Sequence, residues 1–249
     1  MLKLLSSVFA LLLVAACTSS LSPLGPSRPT NVKTIGIVSL VGDSIELTSS
    51  GFVGVGADFD RAFVPNWRFR EQIEQMAAGD LAPAYSAVPV SFDPAAYRRF
   101  VDPNKAPDPD ALKKGLQAAL ANGNTADAYL VIVPSTLRDP IFESLSDLTG
   151  IGIFHWTALI SADTAFPFVI CDMMLIDAHN FRTISSMQMK VSPKDSFKSL
   201  GYPLIEIDGF DWKPTFAAMT PQQGQALYGF WHNLLIQTVR YSMAQLKLT

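Results

Sequence analysis

Thr220-Pro221-Gln222-Gln223 opens the longest amphipathic pattern in the chain, and no other stretch constrains the fold as strongly. A Thr cap with Gln three residues on is a capping box, and Pro suits the first helical position, where its missing amide is not needed. Beyond it Ala226, Leu227, Phe230, Trp231, Leu234, Leu235, Thr238, Val239, Met243 and Leu246 recur at the 3.6-residue period. Such a helix needs an equally long apolar surface to lie on. The rest of the sequence supplies strands for it.

"VKTIGIVSLV" is β-branched and nearly continuous in apolar character from Ile35, as a buried strand should be. In "SIELT", Ile45 and Leu47 alternate with polar neighbours, the pattern of a half-buried strand. Gly42-Asp43 between them is good turn chemistry and predicts a hairpin. "GFVGVG" continues this β region, and its glycine spacing fits neither a dinucleotide fingerprint nor a phosphate loop. Asn66 caps a helix to about Ala78, with Phe69, Ile73, Met76 and Ala77 on one face and Gly79 ending it. "YSAVPVSF" is a short strand whose Pro89 places it at a sheet edge. Asp108 and Pro109 start a second helix with Leu112, Leu116, Ala119 and Leu120 on one face. "DAYLVIVPS" is another buried strand. "GIGIFHWTALI" and "FPFVICDMMLID" are two more, and the polar turn "AHN" returns the chain into "FRTISSMQMKV" as a long hairpin. The expected fold is α/β (α+β): one sandwich of two or three layers over residues 32–249, with helices packed on a mixed sheet. Residues 192–219, rich in Pro and Gly, form an irregular excursion.

The N-terminus addresses location. Lys3 precedes an apolar core, Leu4 to Ala16, too short to span a bilayer but suited to a secretory signal peptide, residues 1–16. It ends "VAAC", Val14 to Cys17, which resembles the lipobox of bacterial lipoproteins. The resemblance implies cleavage before Cys17 and lipidation of its thiol. Thr18, rather than Asp, follows the cysteine, which in enteric-type lipoproteins goes with the outer membrane. Residues 17–31 are the lipidated Cys and a Ser/Pro/Gly-rich tether, of which residues 18–31 reach at most about 45–50 Å when extended. With Cys17 lipidated, Cys171 stands alone in an apolar run and reads as a small core residue.

Composition narrows the chemistry. Formal net charge is −3 with no basic cluster, so nucleic-acid binding is not expected. Gly42-Asp43-Ser44 resembles the first block of the SGNH (GDSL-type) serine hydrolases, which makes Ser44 a candidate nucleophile. The resemblance stops there. None of His155, His179 and His232 lies in the Asp-x-x-His those enzymes use, and "NGNTAD" is not their Gly-x-Asn-Asp. A serine alone lacks the base and oxyanion donors the reaction needs. Asp172, Asp177 and His179 cluster in sequence but read as turn chemistry, and "DFDR" lacks the spacing of a calcium loop. No cofactor or metal site is expected. Phe210, Trp212 and Phe216, in the irregular excursion, are a candidate interaction surface.

A "DA-hydrophobic" strand, Asp127 to Val133, followed by paired strands with Asp172 and Asp177 near a turn, is similar to small periplasmic lipoproteins of the curli-channel and penicillin-binding-protein-activator type. That similarity spans residues 32–190 and the last helix and transfers no catalytic residue. The expectation is a non-enzymatic cell-envelope lipoprotein, held at the outer membrane by its N-terminal lipid and facing the periplasm. It would bind or assemble with an envelope protein. The alternative is a periplasmic SGNH-like serine hydrolase using Ser44.

Overall fold

Ala128–Pro134 is buried at every position but the last, as expected of a strand covered on both faces. It is the fifth of nine strands in the computed structural model, which describes residues 29, 31–51, 58–102, 106–120, 124–138, 147–157, 164–190 and 219–249. The leader, Cys17, most of the tether, "FVGVG" and the excursion with Phe210, Trp212 and Phe216 lie outside the described residues.

The strands are β1 (Thr34–Ser39), β2 (Ser44–Gly51), β3 (Asp58–Phe63), β4 (Ser86–Val88), β5 (Ala128–Pro134), β6 (Thr136–Arg138), β7 (Asp147–Thr157), β8 (Thr164–Asp177) and β9 (Thr183–Lys190). Among the described residues the helices are α1 (Phe69–Asp80), α2 (Pro94–Arg98), α3 (Pro109–Ala119) and α4 (Pro221–Gln245), with a 3-10 turn at Pro65–Trp67. The sheet order is β3-β2-β7-β8-β5-β1-β4, with β6 beside β7 and β9 beside β8. It is mixed: β1 runs parallel to β4 and β5, and β2 runs parallel to β7, while β8 is antiparallel to β5, β7 and β9.

The registers reveal how the sheet is assembled. Ile170 of β8 faces both Gly150 of β7 and Lys190 of β9, so those two strands lie on opposite edges of β8. β5 and β9 share Cys171 to Ile176 and are opposed for the same reason. β5 and β7 therefore follow one another along a single edge of β8, and the amide of Gly150 donates to Ser135 at their junction. β1 lies beside β5 and β2 beside β7, so β1 and β2 run in the same direction with residues 40–43 as a jog between them. This corrects the expected Gly42-Asp43 hairpin, since parallel neighbours along one line cannot close a tight turn. The hairpin formed at this point is β2–β3, with Ser44 opposite Phe63.

Period-two alternation sorts the side chains into layers. Ala128, Leu130 and Ile132 of β5 and Cys171, Met173 and Leu175 of β8 enter the core beneath α1 and α4. Tyr129, Val131, Val133 and Ile176 enter a second core beneath α2 and α3. The result is a sandwich with helices on both faces of the sheet. Cys171 is fully buried, and burial pushes its thiol well above the ordinary range, as befits a core residue.

The helix starts follow capping chemistry where the cap is local. Asp108 accepts from the amides of Asp110 and Ala111, and Thr220 and Gln223 close the expected capping box. Asp93 caps α2, a helix too short for periodicity to announce. α1 differs from expectation. Pro65-Asn66-Trp67 coil into a 3-10 turn, Arg68 adopts φ 49°, and the helix begins at Phe69 without a side-chain cap. Gln72 reaches back to the Trp67 carbonyl instead and ties the two turns together. Gly79 is inside α1 rather than at its end, which its open surroundings allow.

Candidate functional site

The outer row of the sheet has a gap. β4 pairs with β1 only from Thr34 to Gly36, and the strand ends at Val88, immediately before Pro89. β3 pairs with β2 from Ser44 onward, and Val64 extends this to the Asp43 carbonyl. Between them, residues 37–42 have no strand on that edge among the described residues. The Ser39 amide at this open edge donates to Glu74 Oε1 of α1 at 3.0 Å, so a carboxylate replaces the missing strand.

A groove of about 560 Å³ occupies the gap. One wall is the polar face of α1, with Arg70, Glu71, Glu74 and Gln75; the other is apolar, with Val88, Val90 and Phe92. Ser39 also lines it, 2% exposed, and its hydroxyl has no hydrogen-bond partner among the described residues. A volume in this range, with apolar lining and a few polar groups, suits a small ligand or a peptide side chain.

Burial pushes the Glu74 carboxyl above its ordinary 4.5, and the neighbouring Glu71 pushes the same way; the Ser39 amide and Arg70 oppose them. A folded-state carboxyl with a raised pKa holds its proton more tightly than the unfolded chain does. Its contribution to stability is complete below 4.5 and is lost as pH rises through the raised value. Glu74→Gln should therefore flatten this loss: the urea midpoint of the parent falls between pH 4.5 and 7 by more than that of the variant. Equal declines in the two proteins would show that Glu74 is not strained by burial.

Ser44 opens β2 at a second, much smaller cavity of about 30 Å³, room for roughly one water molecule. This crevice lies where the β1–β2 jog meets the β5–β7 junction, and Glu46, Arg61, Thr149 and Gly150 line it. Glu46 is 3% exposed. It accepts from Thr48 Oγ1 at 3.0 Å and the Thr149 amide at 3.3 Å, and meets Arg61 at 3.4 Å. Burial nevertheless raises its carboxyl. Ser44 thus has a carboxylate nearby, but no histidine lines its crevice. His155 sits five residues beyond the Gly150 position on β7, roughly 17 Å along the strand. It belongs to the opposite face, where its Nδ1 meets Ser49 Oγ at 3.3 Å. His232 bonds Gln72, and His179 stands in the β8–β9 turn.

Asp172, Asp177 and His179 are likewise separated in role. Asp177 accepts from the amides of His179 and Asn180 and so builds the turn, as the sequence suggested. Asp172 is half-buried within β8, and burial raises its carboxyl against a hydrogen bond from Ser135. Among the described residues no group of three or more His, Cys, Asp or Glu is placed to hold a metal ion. The groove residues Ser39, Arg70, Glu71 and Glu74 were not singled out by sequence. Pro89 was the one signal available, since it marks where the edge opens.

No protein-family model matches the chain, and no curated protein matches it. Among solved structures, a Helicobacter pylori protein described, provisionally, as a neuraminyllactose-binding hemagglutinin homolog aligns with 90% of this chain and 96% of its own, at 12% identity and a TM-score of 0.28.

Proposed function

We propose that this chain is a cell-envelope lipoprotein, anchored through Cys17, that works by binding rather than by catalysis, and that the groove along α1 is where it binds. The groove supports this reading: it joins an apolar wall to a charged one over a buried hydroxyl without a partner among the described residues. The lipobox-like "VAAC" supports the anchor, and the tether would let the folded part stand off an outer membrane and face the periplasm. The partner is then an envelope protein, with Phe210, Trp212 and Phe216 as a second contact surface. A Cys17→Ser chain should leave the membrane fraction; one that stays with membranes contradicts the anchor. The competing reading, a serine hydrolase, draws on Ser44 beside the buried Glu46. A fluorophosphonate probe decides it: labelling that disappears in Ser44→Ala would establish the hydrolase.

A further inference from the structure

The charged wall of the groove is incompletely paired. Glu71 and Glu74 lie one turn apart on α1, and both line the groove. The bond from the Ser39 amide holds the Glu74 carboxylate against the β1 edge. Glu71 Oε1 meets Arg70 at 3.4 Å, but its Oε2 is closed off from solvent and has no partner among the described residues. The Ser39 hydroxyl, on a residue 2% exposed, is in the same condition. Like charges one turn apart repel, and shielded acceptors without donors cost stability. A ligand with one positive charge and several N–H donors would relieve both conditions together.

We propose that the groove takes a primary ammonium on a short aliphatic stem, as in a lysine side chain or an alkyl diamine, and that Arg70 is the internal cation it displaces. An ammonium has three donors and no acceptor, which matches Glu71, Glu74 and the Ser39 hydroxyl. Arg70 suits the role of the displaced group: its side chain is 48% exposed, and an exposed ion pair of this kind is weak. Its departure uncovers the Glu71 carboxylate for the incoming cation. The methylene stem then lies along Val88, Val90 and Phe92, as long cationic side chains do on apolar surface. This inference rests on the groove being the binding site.

Calorimetric titration of the full chain with n-hexylammonium, Nα-acetyl-lysine amide, n-hexanoate and calcium chloride tests it. Saturable binding of the two amines is expected, without binding of hexanoate or calcium. Glu74→Gln keeps an acceptor for the Ser39 amide and should weaken amine binding about tenfold or more. Arg70→Ala removes the internal competitor and should tighten it, by up to about fivefold. Circular dichroism melting confirms that both variants are folded. A clear preference for the acetyl-lysine amide supports a peptide lysine as the source; equal affinities support any alkylamine. Hexanoate binding that Arg70→Ala weakens would overturn the ammonium while leaving the groove as the site. Calcium binding lost in Glu74→Gln would replace the ammonium with a metal. Absence of binding by all four probes overturns both the ammonium and the groove.

Discussion

Trp231→Ala is expected to cost about 3–5 kcal/mol, the range for removing a large aromatic from a packed core. Trp231 is fully buried at the middle of α4, where its ring meets Trp67 at 5.8 Å. It belongs to the core that joins α1 and α4 to the sheet, so its loss leaves a cavity shared by all three. The indole N–H has no hydrogen-bond partner among the described residues, so the aromatic volume rather than the polar atom contributes the stability. Trp231→Phe should accordingly cost far less than the alanine change. Urea unfolding followed by circular dichroism checks both, as a lowered midpoint with unchanged slope. A small effect for Trp231→Ala would mean that α4 does not rest on the sheet as described.

Gly152→Ala should cost about 3 kcal/mol, the upper part of the overpacking range. A Cβ at this position would come within 2.3 Å of Phe168 Cζ and 2.4 Å of the Glu46 carbonyl oxygen. The ring can turn away, but the carbonyl belongs to the β2–β7 ladder and cannot. Phe168→Leu added to Gly152→Ala should therefore rescue only part of the loss in a double-mutant cycle. Full rescue would show that the ring alone sets the requirement for glycine. Glycine here also keeps β2 close to β7 beside the Ser44 crevice, so the same variant disturbs the Glu46 surroundings.

The fold was legible at the helix starts whose caps are local and at the strands buried on both faces. Thr220 and Gln223 close a capping box and Asp108 accepts from the amides of Asp110 and Ala111, all within one turn, and the near-continuous apolar run of β5 follows from burial on both faces. Cys171 was readable as core because it lies in an apolar run that only Asp172 interrupts. Long-range pairing was less legible. Gly42-Asp43 suits a tight turn, but whether two strands meet there depends on β5 and β7 taking successive places along β8, about a hundred residues later in the chain. Asn66 looked like a cap because a side chain cannot report that Pro65 would wind the backbone into a 3-10 turn first. The groove was hidden for a related reason. Arg70, Glu71 and Glu74 have the sequence appearance of any solvated helix face, and only the gap between β4 and β3 gives that face an open strand edge to meet.

We propose that the groove along α1 is the working surface of the molecule. Site-specific photo-crosslinking in intact envelopes tests it, with the reactive group placed at Gln75 in the groove and at Lys114 on the exposed side of α3. A discrete adduct from Gln75 is expected, lost when Glu74→Gln is added, with none from Lys114. No more adduct from Gln75 than from Lys114 would contradict it.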